Sequence, residues 1–185
     1  MKYLLIIFLL LSPSVSWSED ISFDDLALRD GLFYEKFTDV PFTGKVIGEK
    51  QGKISKGKRE GEWLWYWENG QLNEKVNYKD GKLEGEWLMY RKNGQLYSKN
   101  YYKDGKPEGE WLEYNQNGRL LSKENYKEGK KEGEYSWYYE NGQLNWKMNF
   151  KDGKREGAYF RYDRNGQLVE KRNYKDGKFI ETIKP

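Results

Sequence analysis

Aromatic side chains are the residues of this sequence whose number and spacing point most clearly to chemistry. The 185 residues include 16 Tyr, 8 Trp and 8 Phe. Aromatic rings are platforms for stacking ligands such as sugars, and they attract quaternary ammonium groups. From residue 57 the sequence repeats every 24 residues, and five aromatic residues are present in only some copies of this repeat. The repeat architecture therefore does not require them. We predict that these five contact a partner: Trp65, Trp67, Trp137, Tyr139 and Trp146.

Other aromatic residues recur every 24 positions, in series that begin at Trp63, Tyr66 and Tyr78. A chain with few aliphatic residues has little else to bury. We therefore predict that these regular rings form the core.

Lysines recur with the same spacing, in series that begin at Lys58 and Lys75. A ladder of lysines attracts anionic lipid. The series that begins at Glu60 is close enough in sequence to offset this charge. We therefore favour a solvated surface of alternating sign that protects strand edges, with contact to membrane lipid as a secondary hypothesis.

Catalysis has few candidate residues. Cys and His are both absent, which excludes disulfides, the usual zinc sites and any nucleophile–base pair built on these residues. The carboxylate pair Asp24 and Asp25 precedes the strands, and no serine lies in a Gly-x-Ser-x-Gly motif. We predict a protein that is not an enzyme, with no catalytic residue, no metal site and no cofactor.

The charge pattern argues against nucleic acid as a partner. The 33 basic and 30 acidic residues leave a formal net charge of +3, and their signs alternate, as in residues 58–62. Nucleic-acid binding usually depends on a patch of one sign. We predict no nucleic-acid partner.

Residues 1–18 have the layout of a secretory signal peptide. A short basic start at Lys2 is followed by an apolar run, residues 3–11, a break at Pro13, and small residues at Ser16 and Ser18. Nine apolar residues are too few to span about 30 Å of hydrocarbon as a helix. We predict cleavage after Ser18 and a periplasmic, cell-surface or secreted location.

From residue 57 the sequence repeats every 24 residues without an insertion. Three glycine series, beginning at Gly57, Gly61 and Gly70, contain 16 of the 20 glycines. We divide the mature chain into N-terminal capping strands with a shortened repeat (19–56), five repeats (57–178) and a C-terminal capping strand (179–185). In the first part, residues 32–37 and 42–47 are predicted strands.

Each repeat is predicted to be a β-hairpin. Asn69-Gly70 is the typical signal of a two-residue type I′ turn, and the next connection contains Asp80-Gly81. Three glycines per unit argue against a helix. The residues predicted to build the repeat are Trp63, Tyr66, Asn69, Gly70, Leu72, Tyr78, Gly81 and Gly85.

Pairing across such a turn predicts which side chains share a face. It puts Trp67 opposite Leu72, Trp65 opposite Glu74 and Trp63 opposite Val76. Both faces then carry aromatic and polar groups, which suits one twisted layer better than a sandwich. The predicted fold class is all-β: an elongated, single-layer antiparallel sheet of stacked β-hairpins.

The stretch GEWLWYWENGQLNEKVNYKDGKLEGEW, residues 61–87, resembles the variant MORN repeat of bacteria. That repeat is also found in the YwqK-family antitoxins of toxin–antitoxin systems. FTDVPFTGKV, residues 37–46, is similar to the segment that often precedes these repeats. The resemblance covers residues 32–178 and implies stacked hairpins. It also implies an association with protein scaffolding and, less directly, with membrane lipids.

These observations predict an exported, non-enzymatic repeat scaffold that binds another protein or a component of the cell envelope. Two alternatives stay open. One is an antitoxin that neutralises a toxin by protein binding, which would have to remain inside the cell. The other is a glycan-binding or cell-wall-binding module. The sequence leaves open the partner's identity and the oligomeric state.

Overall fold

A computed structural model describes residues 20–183 of the chain. The predicted signal peptide, residues 1–18, lies outside this range. The described chain consists of strands, turns and one short 3₁₀ segment, Phe23–Asp25. It contains no helix of the length and apolarity that a membrane span requires.

The N-terminal strands form a cap on the repeats. They are β1 (Ile21–Ser22), β2 (Leu26–Arg29), β3 (Leu32–Glu35), β4 (Gly44–Ile47) and β5 (Lys50–Ser55). Strand β1 runs parallel to β4, while β2 and β3 form a separate two-stranded sheet. The two strands predicted in this part correspond to β3 and β4, which are shorter than expected. Strands β1 and β2 lie before the periodic part of the sequence and were not predicted.

The five repeats supply the next twelve strands, and the chain ends in one more. The repeats comprise β6 (Lys58–Tyr66) and β7 (Leu72–Lys79); β8 (Lys82–Tyr90) and β9 (Leu96–Lys103); β10 (Lys106–Pro107), β11 (Gly109–Tyr114) and β12 (Leu120–Lys127); β13 (Lys130–Lys131), β14 (Gly133–Tyr138) and β15 (Leu144–Lys151); β16 (Lys154–Tyr162) and β17 (Leu168–Lys175). The last strand is β18 (Lys178–Ile183).

One 16-stranded sheet contains every strand except β2 and β3, and its strands follow one another in chain order. All its pairs beyond the β1–β4 contact are antiparallel. The predicted class, an elongated antiparallel sheet of stacked hairpins, is therefore confirmed.

The connections between repeats are type I′ turns. Asp80 and Gly81 both have positive φ, 51° and 79°, and the flanking Lys79 and Lys82 pair directly. Positive φ at two successive residues is the signature of this turn, and its twist matches that of the strands.

The prediction of a type I′ turn at Asn69-Gly70 is wrong. Of the two residues only Gly70 has positive φ, 80°. The Gly70 N–H donates to the Trp67 carbonyl and the Trp67 N–H to the Gln71 carbonyl, both at 2.8 Å, which makes a three-residue loop with a left-handed glycine. The Asn69 Oδ1 accepts the Gln71 N–H at 3.1 Å and stabilises this loop.

The longer loop changes the predicted pairing. Trp65 faces Glu74 and Trp63 faces Val76, as predicted, but Leu72 pairs with Tyr66 and not with Trp67. The register shift lies between Trp65 and Tyr66, so the second strand carries one extra residue there. Trp67 is thereby moved out of the strand and into the turn.

The apolar core lies at the N-terminal end of the sheet. Its buried members are Leu26, Phe42, Val46, Ile54, Trp63 and Val76. The Trp63 ring is fully buried against Gly52, where a Cβ atom would lie 2.3 Å from the ring. The Trp63 Nε1–H donates to the Lys53 carbonyl at 3.1 Å. The shortened repeat therefore closes over the first full one.

Candidate partner-binding surface

The sheet has two chemically different faces, because side chains alternate along each strand. We call a set of residues spaced by 24 positions a series and name it by its first member. One face, the ring face, carries six series. They begin at Arg59, Trp63, Trp65, Glu74, Val76 and Tyr78.

Aromatic rings of the Trp63 and Tyr78 series alternate along the ring face. Ring centroids are 5.6 Å apart for Trp87 and Tyr102, 5.3 Å for Tyr102 and Trp111, and 4.6 Å for Trp111 and Tyr126. These separations are typical of attractive aromatic pairs. The four rings are half-buried. We call them the central ring run.

Cations of the protein itself lie over the rings at both ends of the sheet. The Arg59 guanidinium is 5.1 Å from the centroid of Trp63 and 5.3 Å from that of Tyr78, and its Nη1 donates to the Tyr78 hydroxyl at 3.2 Å. Lys131, in the same series, is 4.3 Å from the Tyr135 ring. Arg155 is 5.4 Å from the Tyr174 ring. Cation–π attraction therefore substitutes for aliphatic packing in these repeats.

Small polar side chains are buried in the second and third repeats. Ser98, Asn100 and Ser122 are 2%, 5% and 2% exposed. The Ser98 Oγ–H donates to the Asn100 Oδ1 at 3.1 Å, and the Ser122 Oγ–H to the Glu113 Oε2 at 3.2 Å. Sequence reasoning missed this polar group. The signal was the change of residue type within the Glu74 and Val76 series.

Glu124 links the third repeat to the fourth. Its Oε2 accepts the Tyr126 hydroxyl at 2.7 Å and forms an ion pair with Lys131 at 2.8 Å. Burial alone would raise the pKa of Glu124, but the hydrogen bonds from Lys131 and Tyr126 outweigh it and lower the pKa. Burial and the same carboxylate raise the pKa of the Tyr126 and Tyr135 hydroxyls.

Three of the five predicted partner residues lie on the ring face. Trp137 and Trp146 face each other across the fourth hairpin, with parallel rings 6.4 Å apart. Trp146 also contacts Tyr135 at 4.7 Å. Trp65 packs against the N-terminal core, 5.9 Å from Trp63. Trp65 therefore contributes to packing, while Trp137 and Trp146 form a half-buried pair in the middle of the face.

The other two predicted partner residues lie at the edge formed by the Asn-Gly turns. The Trp67 Nε1–H donates to the Tyr90 carbonyl at 3.2 Å, and the Tyr139 hydroxyl donates to the Tyr162 carbonyl at 2.9 Å. Arg91, in the same series, donates to the Tyr114 carbonyl at 2.8 Å. Each of these side chains therefore ties its turn to the next repeat, a role that sequence reasoning did not anticipate.

The opposite face, the salt face, pairs lysines with glutamates. Lys75 meets Glu62 at 2.6 Å, and the next two repeats contain the equivalent contact. The hydrogen bond from Lys75 to Glu62 is the main reason that the pKa of Lys75 is raised. The expectation that the Glu60 series offsets these lysines is wrong, because the partners come from the Glu62 series.

The Glu60 series has a different contact. The Glu60 Oε2 accepts the N–H of Asp80 at 2.9 Å, and the Glu84 Oε2 accepts that of Asp104 at 2.8 Å. The Gly81 N–H donates to the Arg59 carbonyl at 3.0 Å. Each type I′ turn is therefore fixed to the preceding repeat by two hydrogen bonds.

The acidic pair of the N-terminal segment is exposed. Asp24 and Asp25 lie in the 3₁₀ segment, and the Asp24 N–H donates to the Ser22 hydroxyl at 3.3 Å. Within residues 20–183, no group of three or more acidic side chains is placed to hold a metal ion.

A single sheet built from equivalent 24-residue hairpins defines the chain as a β-repeat protein. The sequence matches the family described as MORN repeat variant at residues 59–80, 83–104, 107–128, 131–152 and 155–176. These five segments cover more than half of the chain, so it belongs to the MORN repeat variant family. No curated protein matches the chain.

Proposed function

We propose that this protein is a non-enzymatic scaffold whose ring face binds another protein. One observation carries the proposal: on the ring face the aromatic Trp63 and Tyr78 series recur as a regular frame, whereas an accessible series beside them changes from repeat to repeat. The Trp65 series, whose members are half-buried or exposed, reads Trp, Met, Glu, Trp, Arg along the five repeats. Repeat proteins bind partners by presenting such varied residues on a regular frame.

The salt face supports this choice of partner over a lipid surface. Its lysines are paired with glutamates at short distance in four successive repeats. Attraction to anionic lipid depends on basic residues that are not already neutralised. Antitoxin activity would be one form of the same function, since it also requires protein binding. Glycan binding by the half-buried rings remains a separate hypothesis.

Photo-crosslinking tests the proposal. A benzoylphenylalanine at Met89, on the ring face, has space because Trp65 and Trp137 occupy the same series. The matched control is the same group at Glu68, which is exposed in the Asn-Gly turn of the first repeat. We expect a discrete protein adduct from position 89 in the producing cells and none from position 68.

The proposal would be contradicted if the folded position-89 variant formed no protein adduct, or if it coupled to lipid instead. Circular dichroism of each purified variant establishes that it is folded.

Export belongs to the proposal as well, because the signal-like segment precedes Glu19. Cell fractionation with N-terminal sequencing is the test. A mature chain that begins at Glu19 outside the cytoplasm is expected. An uncleaved chain inside the cell would favour the antitoxin alternative.

A further inference from the structure

Three of the five repeats place a cation of their own over the aromatic pair on the ring face. These cations are Arg59, Lys131 and Arg155, all in one series. Arg59 is the most enclosed, with five aromatic rings within 5.5 Å of its guanidinium carbon. The fold thus already contains sites in which a guanidinium or ammonium group lies against rings of the Trp63 and Tyr78 series.

The second and third repeats have no such cation. Their residues in the Arg59 series are Leu83 and Pro107. Pro107 pairs with Tyr102 and Leu83 packs against the N-terminal core. Neither side chain carries a charge. The rings of these two repeats form the central ring run, whose centroid separations of 4.6 to 5.6 Å are shorter than the 6.4 Å between Trp63 and Tyr78.

The charges beside the first three rings of the central ring run are negative, whereas Lys131 lies 5.9 Å from the fourth ring, Tyr126, and pairs with Glu124. Among the ring-face residues of the second and third repeats, within residues 83–126, there is no Lys or Arg. Glu74 and Glu113 lie on this face, and Glu74 accepts the Trp87 Nε1–H at 3.1 Å. Carboxylates beside half-buried rings attract a cation and repel an anionic lipid surface.

We infer that the central ring run binds an arginine side chain of the partner protein, in the position that Arg59 and Arg155 occupy in their own repeats. This inference rests on the proposed function and specifies its chemistry. A planar guanidinium stacks on ring faces and donates to a carboxylate at the same time, which suits rings bordered by Glu113. The third repeat offers both groups.

A peptide pair tests the inference on the full mature chain. One peptide is acetyl-Gly-Ser-Gly-Arg-Gly-Ser-Gly-amide, and the control replaces Arg with citrulline, which keeps the shape and removes the charge. We expect the arginine peptide to shift the indole N–H signals of Trp87 and Trp111 in NMR spectra, with Kd on the order of millimolar. The buried Trp63 signal should not move.

Two variants supply an internal cation to the second and third repeats. Pro107→Lys copies the residue found at Lys131, and Leu83→Arg copies Arg59. Each is expected to weaken peptide binding at least about 5-fold, because the added side chain occupies the rings. The matched variant Arg155→Leu removes a native cation in the fifth repeat and should leave binding at Trp111 intact.

The inference would be overturned if the citrulline peptide shifted the indole signals as much as the arginine peptide. It would also be overturned if the arginine peptide caused no shift at 10 millimolar, roughly ten times the expected Kd. Unchanged affinity in both folded variants would do so as well. The failure is distinguishable from that of the proposed function, since crosslinking at Met89 detects a protein partner whether or not it presents arginine.

Discussion

The side chain in the Trp67 series decides how each Asn-Gly turn is held. Where this residue is long, as in Trp67, Arg91 and Tyr139, it donates to a carbonyl of the next repeat. Where it is short, as in Asn115, its Oδ1 accepts the N–H groups of its own turn at 2.9 and 3.1 Å. The Asn115 Nδ2 is then buried without a partner among residues 20–183.

Tyr139→Phe is expected to lower the free energy of unfolding by about 1 kcal/mol, because it leaves the Tyr162 carbonyl without its donor. Urea unfolding monitored by tryptophan fluorescence measures the change. Tyr101→Phe, at an exposed residue, is the control and should be neutral within about 0.5 kcal/mol. An equal loss in both variants would contradict the proposed contact.

Residue roles were the least predictable part of this molecule. Irregular occurrence marked Trp67 and Tyr139 as dispensable to the fold, yet both contact the neighbouring repeat. At that position Trp, Arg and Tyr each supply a donor that reaches the next repeat, whereas Asn115 bonds within its own turn. A sequence comparison by residue type cannot recognise a contact that three different side chains make.

At the scale of elements, the two turns of each repeat make different connections. The three-residue loop closes a hairpin, and the type I′ turn joins one hairpin to the next and is fixed by a glutamate 20 residues earlier. The turn positions and the hairpin of each repeat followed directly from glycine spacing, although the third and fourth repeats each contain an extra two-residue strand. The type of each turn could not be predicted from this spacing, because Asn-Gly and Asp-Gly both favour positive φ. The hydrogen bond that the Asn side chain accepts decides between the two loops.

Glu84→Ala is expected to destabilise the chain by about 1 kcal/mol, because the Asp104 N–H loses its carboxylate acceptor. Thermal unfolding followed by circular dichroism is the measurement. The control is Glu68→Ala, since Glu68 is an exposed glutamate of a neighbouring turn. If the two variants melt at the same temperature, the glutamate does not hold the turn.

At the scale of the whole molecule, stability is distributed unevenly. The buried apolar cluster belongs to the cap and the first repeat, and the aromatic residues Phe179 of β18 and Tyr97 of β9 are exposed. Repeat arrays are stabilised by contacts between neighbours, so local unfolding free energies can differ along the chain.

Hydrogen exchange followed by mass spectrometry is expected to be slowest in β6 and β7 and to become faster toward β17 and β18. The reason is that Trp63 and Val76 are almost completely buried in the first hairpin, while Phe179 of the last strand is 54% exposed. Equal protection along the array would show that the N-terminal cluster does not dominate stability.

Alkaline pH is expected to weaken the junction between the third and fourth repeats. The pKa values of Tyr126 and Tyr135 are raised in the folded chain, mainly by burial and also by Glu124. Above the ordinary tyrosine value of about 10, the unfolded chain loses protons first, so the free energy of unfolding falls as pH rises. Urea midpoints between pH 8 and 11 measure this.

Tyr126→Phe should make that decline shallower, while Tyr101→Phe, at an exposed residue, should leave its slope unchanged. If the unmodified chain and both variants lose unfolding free energy equally steeply as the pH rises, groups other than Tyr126 cause the loss.

The hydrogen bonds at the two edges of the sheet also bear on how such a chain changes over generations. Each repeat makes an equivalent contact through a glutamate at one edge, and the repeats with a long turn residue at the other edge add a contact to the next repeat. A duplication or deletion of 72 nucleotides, in any phase within the array, therefore restores both sets of contacts. Recombination can lengthen or shorten the binding surface one unit at a time, and the copy that is gained is free to acquire a new ring-face residue.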